Sequence, residues 1–194
     1  MEAAICTVAY PGAGNDVAAR AAKARDIPVV SMGRRVRERA KAELGEDLTS
    51  DDTASSEIVG EWVAEQREKQ GQGIVGVWTL GHVAAELNNQ IVLINGLRSP
   101  EAYERFQEAF NRVLLIHIDA DKEARLHRLQ EEATQDEQPF TETDLERRDQ
   151  REQAWGIDTL TKQADATVAH ELGESDACVD ELTNHVNDFL ADTQ

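Results

Sequence analysis

Residues 10–16 read Tyr-Pro-Gly-Ala-Gly-Asn-Asp, between a nearly all-apolar run at 3–9 and an Ala-rich stretch at about 14–25. A glycine-rich turn joining a first strand to a first helix is a place where backbone N–H groups and a helix N-terminus cradle phosphate. The full pattern for that chemistry is G-x-x-x-x-G-K-[ST], in which the Lys reaches the outer phosphates and the hydroxyl holds Mg²⁺. Laid over residues 9–16, Gly14 meets the second glycine, but Ala9 replaces the first. Asn15 stands at the Lys position and Asp16 at the hydroxyl position. Gly12, Ala13, Gly14, Asn15 and Asp16 are therefore candidate phosphate-binding residues, and Asp16 is a candidate ligand if Mg²⁺ is bound. No residue is assigned a catalytic role. A tight βα turn with no ligand accounts for the same glycines.

The other residues suited to anion chemistry are arginines. Arg34, Arg35, Arg37, Arg39 and Lys41 crowd one segment, and Arg34, Arg37 and Lys41 share a helical face by i, i+3, i+7 spacing. Arg98 follows an apolar strand. Arg125 and Arg128 enter a polar stretch at 131–144, and Arg147, Arg148 and Arg151 leave it. Arginine forks suit phosphate or carboxylate. The plain alternative is pairing with nearby acids such as Glu38, Glu43, Glu146 and Asp149 on solvated faces. His82, His117 and His127 lack Cys or His partners at metal-ligand spacing. Asp119 and Asp121 fit a helix cap better than a metal site. Trp62, Trp78 and Trp155 read as packing residues.

The elements that must position these groups alternate. Apolar strands are expected at 3–9, 27–31, 90–94 and 112–118, with a weak one at 164–169. Helices are expected between them and a closing amphipathic helix at 175–191. Such alternation indicates a parallel sheet buried on both faces, hence an α/β, three-layer, doubly wound domain of about five strands, with ligands beyond the carboxyl strand ends. The 194 residues suit one domain, with 131–144 as a mobile excursion. The net charge of −18 disfavours nucleic acid and anionic membrane as partners. With 15 Arg against five Lys, the composition resembles proteins of salt-loving archaea, in which screening tempers carboxylate repulsion. Cys6 and Cys178 read as structural thiols. No stretch approaches ~18 apolar residues and no leader pattern opens the chain, so a cytoplasmic protein is expected.

From Ile5 to about Leu190 the chain resembles an uncharacterised archaeal family of P-loop kinases related to adenylate kinase and dephospho-CoA kinase. That family has a strand, then G-x-P-G-S-G-K-[ST], a helix, then P-V-V-S-M-G-D-V-V-R, and later a strand ending in G-I-R-S. Here Pro28-Val29-Val30-Ser31-Met32-Gly33-Arg34-Arg35-Val36-Arg37 and Asn95-Gly96-Leu97-Arg98-Ser99 stand at matching intervals. Arg147-Arg148-Asp149-Gln150-Arg151-Glu152, followed by Gly156-Ile157, is similar to the family's lid-exit helix. Arg34 replaces the family's Asp, and Asn95 an acid that usually ends the third strand.

The resemblance implies one P-loop kinase-like domain over 1–194, with acceptor-site helices at about 33–87 and a lid at about 128–155. It implies Arg98, Arg128, Arg147 and Arg151 as further nucleotide or phosphate contacts, and Ser31, Gly33, Arg34 and Arg37 as acceptor-site residues. ATP and Mg²⁺ are the implied cofactors if the loop still binds. The expected function is a degenerate nucleotide or dephospho-CoA kinase-like protein that binds a nucleotide or phosphorylated ligand weakly, or acts as a regulatory partner. An active ATP-dependent small-molecule kinase with a modified loop is the first alternative, and a non-catalytic protein-interaction module the second.

Overall fold

Every strand lies parallel to its neighbours, because each strand-to-strand connection carries at least one helix across a face of the sheet. The computed structural model describes residues 1–45, 48, 53–86, 91–132 and 140–191. Strand β1 (Ala3–Val8) sits at the centre of a five-stranded sheet in the order β2-β3-β1-β4-β5. The others are β2 (Val29–Ser31), β3 (Val92–Leu97), β4 (Arg112–Asp119) and β5 (Ala166–Ala169). This is the doubly wound α/β architecture that the alternating pattern predicts.

Alternation along β1 explains why it reads as one apolar run. Ala4, Cys6 and Val8 face one core, while Ile5 and Ala9 face the other. The first core lies under α2 (Met32–Leu44), α3 (Thr53–Gln70), α4 (Ile74–Glu86), α5 (Pro100–Ala109) and α8 (Ile157–Gln163). The second lies under α1 (Asn15–Lys23) and α9 (Ser175–Ala191). Ala18, Ala21 and Ala22 line the buried face of α1, and such small side chains let the helix sit close to the sheet. Both cysteines are free and buried, as structural thiols.

The observed β3 runs further toward its carboxyl end than residues 90–94 imply, through Asn95, Gly96 and Leu97. Thr7 pairs with Asn95 but Val8 pairs with Leu97, so Gly96 is an extra residue in the ladder. Its φ of 90° is the kind of conformation a bulge glycine accepts. Helix α8 was not foreseen. Its start is set by Gly156 in the left-handed region, and its seven residues hold only Ile157 and Leu160 as buried positions, too little for a period to emerge.

Helix α6 (Lys122–Glu132) leads into the polar stretch, and α7 (Glu142–Ala154) leaves it. Part of the expected mobile excursion, 133–139, lies outside the described residues. Its far end is ordered by sequence chemistry. Thr141 and Asp144 form a reciprocal capping box that opens α7. Asp121 accepts a hydrogen bond from the Ala124 N–H at 2.7 Å and so caps α6. Among the described residues, no helix is long and apolar enough to cross a membrane.

The β5 edge is fastened by Asp165. The Leu115 N–H donates to its carboxylate at 2.8 Å, and the Asp165 N–H donates to the Leu115 carbonyl at 2.8 Å. Replacing Asp165 with Ala leaves the Leu115 N–H short of a partner in a fully buried residue. The expected loss is about 1–3 kcal/mol, read as a lower guanidinium midpoint at unchanged slope.

Candidate functional site

The β1–α1 loop is held from outside by its carbonyl groups. Arg98, just beyond β3, donates to the Ala9 carbonyl at 2.5 Å. From α6, Arg125 donates to Pro11 O at 3.3 Å and Arg128 to Gly12 O at 3.1 Å. His170, at the end of β5, contacts Ala13 O through Nδ1 at 2.7 Å. Because a carbonyl only accepts, that nitrogen must carry the proton. Asn95 donates to Asn15 O at 2.6 Å, and the Tyr10 carbonyl takes the Ala13 N–H at 3.0 Å. In a planar trans peptide the next N–H lies opposite the carbonyl. Tethering the carbonyls of Pro11 and Ala13 to the walls therefore turns the N–H groups of Gly12 and Gly14 toward the other side, where both residues line a cleft.

The tethers are themselves braced. Arg125 makes a two-pronged pair with Asp149 of α7, at 2.9 and 2.7 Å, and its guanidinium lies 5.2 Å from the Tyr10 ring centroid. The Tyr10 hydroxyl donates to Asp158 at 2.5 Å, and burial followed by that carboxylate pushes it up to about 12. Arg128 also donates to the carbonyls of His170 and Glu171. The second His170 nitrogen meets the Ser175 hydroxyl at 3.0 Å, at the start of α9.

Glycine is required at two places. Gly12 has φ 76° and a Cβ there would meet the Arg125 carbonyl; Gly14 has φ 134° and a Cβ would meet His170 Nδ1. Gly14 begins α1 without a side-chain cap. The first-turn N–H groups of α1 are thus left to solvent or a ligand.

The cleft beside this loop encloses about 440 Å³, within the range of small-molecule sites. Its described lining includes six arginines (Arg37, Arg67, Arg98, Arg128, Arg148 and Arg151) against three carboxylates, Asp16, Glu132 and Glu152. A chain of net charge −18 thus concentrates an excess of positive charge in this one hollow. Glu152 is 7% exposed and lies 2.9 Å from the Arg98 Nε. Burial pushes its carboxyl up, against the pull of Arg98 and then Arg151. Partial burial, then the Asp16 carboxylate, raises Glu132.

Of the residues singled out from sequence, Gly12, Gly14, Asn15, Asp16, Ser31, Gly33, Arg37, Arg98, Arg128 and Arg151 all line this cleft. Ala13 is buried behind it and serves through its carbonyl. Arg34 does not line it. It pairs with Glu38 on the solvated face of α2 at 3.1 Å, and Arg35 joins the same carboxylate at 2.7 Å, the ordinary fate of helix-surface arginines. Arg147 also stands outside, paired with Asp144 and Glu57. Sequence reasoning passed over His170 and Arg67. Only the position of His170 directly after a strand end hinted at a role, and Arg67 carries no local signal at all. Asn95 bonds both Thr7 and the loop, so it acts as a strut rather than an acid.

Removing the His170 tether should loosen the loop. His170→Ala is expected to cost about 1–3 kcal/mol and to speed amide exchange at 12–16 without affecting α5. Gly14→Ala is expected to cost a similar amount, about 1–3 kcal/mol, through backbone strain and the clash with His170.

No family model matches the chain. The UPF0200 protein of Methanopyrus kandleri is 34% identical over 170 residues, spanning 86% of this chain and 80% of its own length. A UPF0200/UPF0201 protein of Archaeoglobus fulgidus is 34% identical over 166 residues, and this chain spans about half (49%) of that longer relative. Among solved structures, shikimate kinase from Bacteroides thetaiotaomicron superposes with a TM-score of 0.60 at 13% identity, over 95% of this chain and 98% of the enzyme. A likeness at that identity establishes the P-loop kinase-type fold.

Proposed function

The chain belongs to the UPF0200 family, and we propose that it is a binder of a nucleotide or other phosphorylated small molecule in which phosphoryl transfer has been lost. The observation that carries this reading is the pairing of a preorganised, arginine-lined phosphate loop with Asn15 and Asp16 where the transfer chemistry needs Lys and a hydroxyl. Phosphoryl transfer rests on positioning and on neutralising charge that spreads over the transferred group. Exchanging a Lys for Asn and adding a carboxylate is a swing of about two charge units beside a polyanion. At ~4 Å each unit pair is worth about 4 kcal/mol at an effective dielectric of ~20. Asp16 and Glu132 both face the cleft near the loop, which compounds the effect.

The arginines lining the cleft still favour an anion. Arg98 and Arg128 are spent partly on the loop carbonyls, so they hold the cradle while adding to its field. An acidic protein that lives in concentrated salt would bind such a ligand under strong screening, which calls for close and buried contacts rather than long-range attraction.

Titration calorimetry with ATP-Mg²⁺ and with ADP in molar KCl is expected to show weak binding without turnover of nucleoside monophosphates or dephospho-CoA. Micromolar ATP binding with steady turnover would instead establish a working kinase in which Asp16 holds the metal. The double change Asn15→Lys with Asp16→Ser is expected to tighten nucleotide binding by at least about tenfold, since it reverses the charge swing. An unchanged affinity would show that the loop is not where the ligand's phosphates sit.

A further inference from the structure

Helix α4 carries no Asp, Glu, Lys or Arg from Ile74 to Ala85, in a chain that is 30% charged. A helix that is apolar all round is normally buried all round. One side of α4 meets that rule. Val75, Thr79 and Val83 are buried, and a Cβ on Gly76 would stand 3.0 Å from Ala102 of α5. The opposite side is open. Val77 is 48% exposed, and Gly81, Ala84 and Ala85 are exposed with it. Positions 77, 81, 84 and 85 form one helical stripe, left without charge on a protein otherwise rich in surface carboxylates.

Beside the stripe, α2 and α4 enclose a groove of about 750 Å³. Its walls are fixed before anything enters. Trp78 stacks on Trp62 with ring centroids 5.5 Å apart, and the Arg39 guanidinium lies 4.6 Å from the Trp78 centroid. Arg35 donates to His82 at 3.4 Å and to Glu38 at 2.7 Å, which ties the two helices together. A rigid Trp beside an Arg is the composition of an interface anchor. Two cations, Arg35 and Arg39, and two carboxylates, Glu38 and Glu43, line the groove, so it is balanced although the chain carries −18.

Charge and shape point to the same occupant. A cationic partner would be drawn to the acidic surface elsewhere, and an anionic one gains nothing from a balanced lining. A second copy of this chain brings both signs and meets both signs. Val77 protrudes, while Gly81, four residues on, leaves a gap in which a Cβ would meet nothing within 4 Å. A two-fold axis between them lays α4 antiparallel on its copy and seats each Val77 in the other's Gly81 gap. Glycine weakens a helix interior, and nothing within the chain fills this gap.

We propose that the α2–α4 face is the two-fold interface of a homodimer, with Val77 as the knob, Gly81 as its socket and Trp78 as the anchor beside them. The inference goes beyond the nucleotide reading and does not depend on it, because the interface needs no ligand. Helix α2 belongs to both regions, with Gly33 and Arg37 on the cleft and Arg35 and Arg39 on the groove.

The test is analytical ultracentrifugation of the full, ligand-free chain in molar KCl, which reads the dimer dissociation constant directly. A concentration-dependent dimer is expected. Val77→Asp should raise its dissociation constant by at least about a hundredfold, since a two-fold interface takes in the carboxylate twice at about tenfold each. Val77→Gly removes the knob and Gly81→Val fills the socket, so each alone should weaken the dimer by at least about tenfold. Combined in one chain, the two changes exchange knob and socket, and affinity should return to within about threefold of wild type. Both positions are exposed, so these variants leave the core packing untouched. A wild-type monomer at every concentration, a dimer indifferent to Val77→Asp, or a double variant no tighter than its weaker parent overturns the proposal. A complex with a different protein through this face, with the free chain monomeric, overturns it as well.

Discussion

The cleft depends on a constraint applied from behind it: the carbonyl oxygens of the β1–α1 loop are occupied by donors from β3, α6 and the β5–α9 turn. Peptide planarity then decides where the N–H groups can face. Arg98, Arg125, Arg128, Asn95 and His170 come from segments spread over the chain and converge on five carbonyls within positions 9–15. A loop held in this way needs no ligand to keep its shape, so little ordering entropy remains to oppose binding. The same tethers link the loop to the edge of the sheet and to the helices on either side of the polar stretch.

Charge is distributed with the same logic. Arginines on solvated helix faces pair with neighbouring acids, as Arg34 and Arg35 do with Glu38. Those at carboxyl strand ends and on α6 brace the loop. A third set, on α3 and α7, stacks on Trp155. An acidic surface and a basic hollow coexist because burial separates them: an arginine in the cleft is less screened than any exposed carboxylate.

Much of the fold was legible in the chain. Continuous apolar runs separated by helical spacing require a sheet covered on both faces, and the turn at Gly12 and Gly14 requires backbone that only glycine adopts easily. Ser99 with Pro100, and Asp121, marked helix starts that the structure contains. What failed was local strength of signal. Helix α8 is too short to show a period, and the apolar run of β3 is broken by Asn95 and Gly96, which line the cleft, before Leu97 returns to the core.

By itself the sequence determined the layered α/β class, the position of a glycine-rich loop after the first strand, and the presence of Asn15 and Asp16 where the phosphate-loop pattern has Lys and a hydroxyl. These are matters of residue type and short spacing. Only the tertiary structure decided which arginines face the cleft and what each one holds. Arg34 and Arg37 stand three residues apart on one helix, yet only Arg37 lines the hollow. Arg67 and His170 gain their roles from partners 88 and 157 residues away, Trp155 and Ala13, and no spacing rule spans such distances. The loop's glycines are therefore readable in advance as permission for a cradle, whereas the cradle is made by side chains that folding brings to its back.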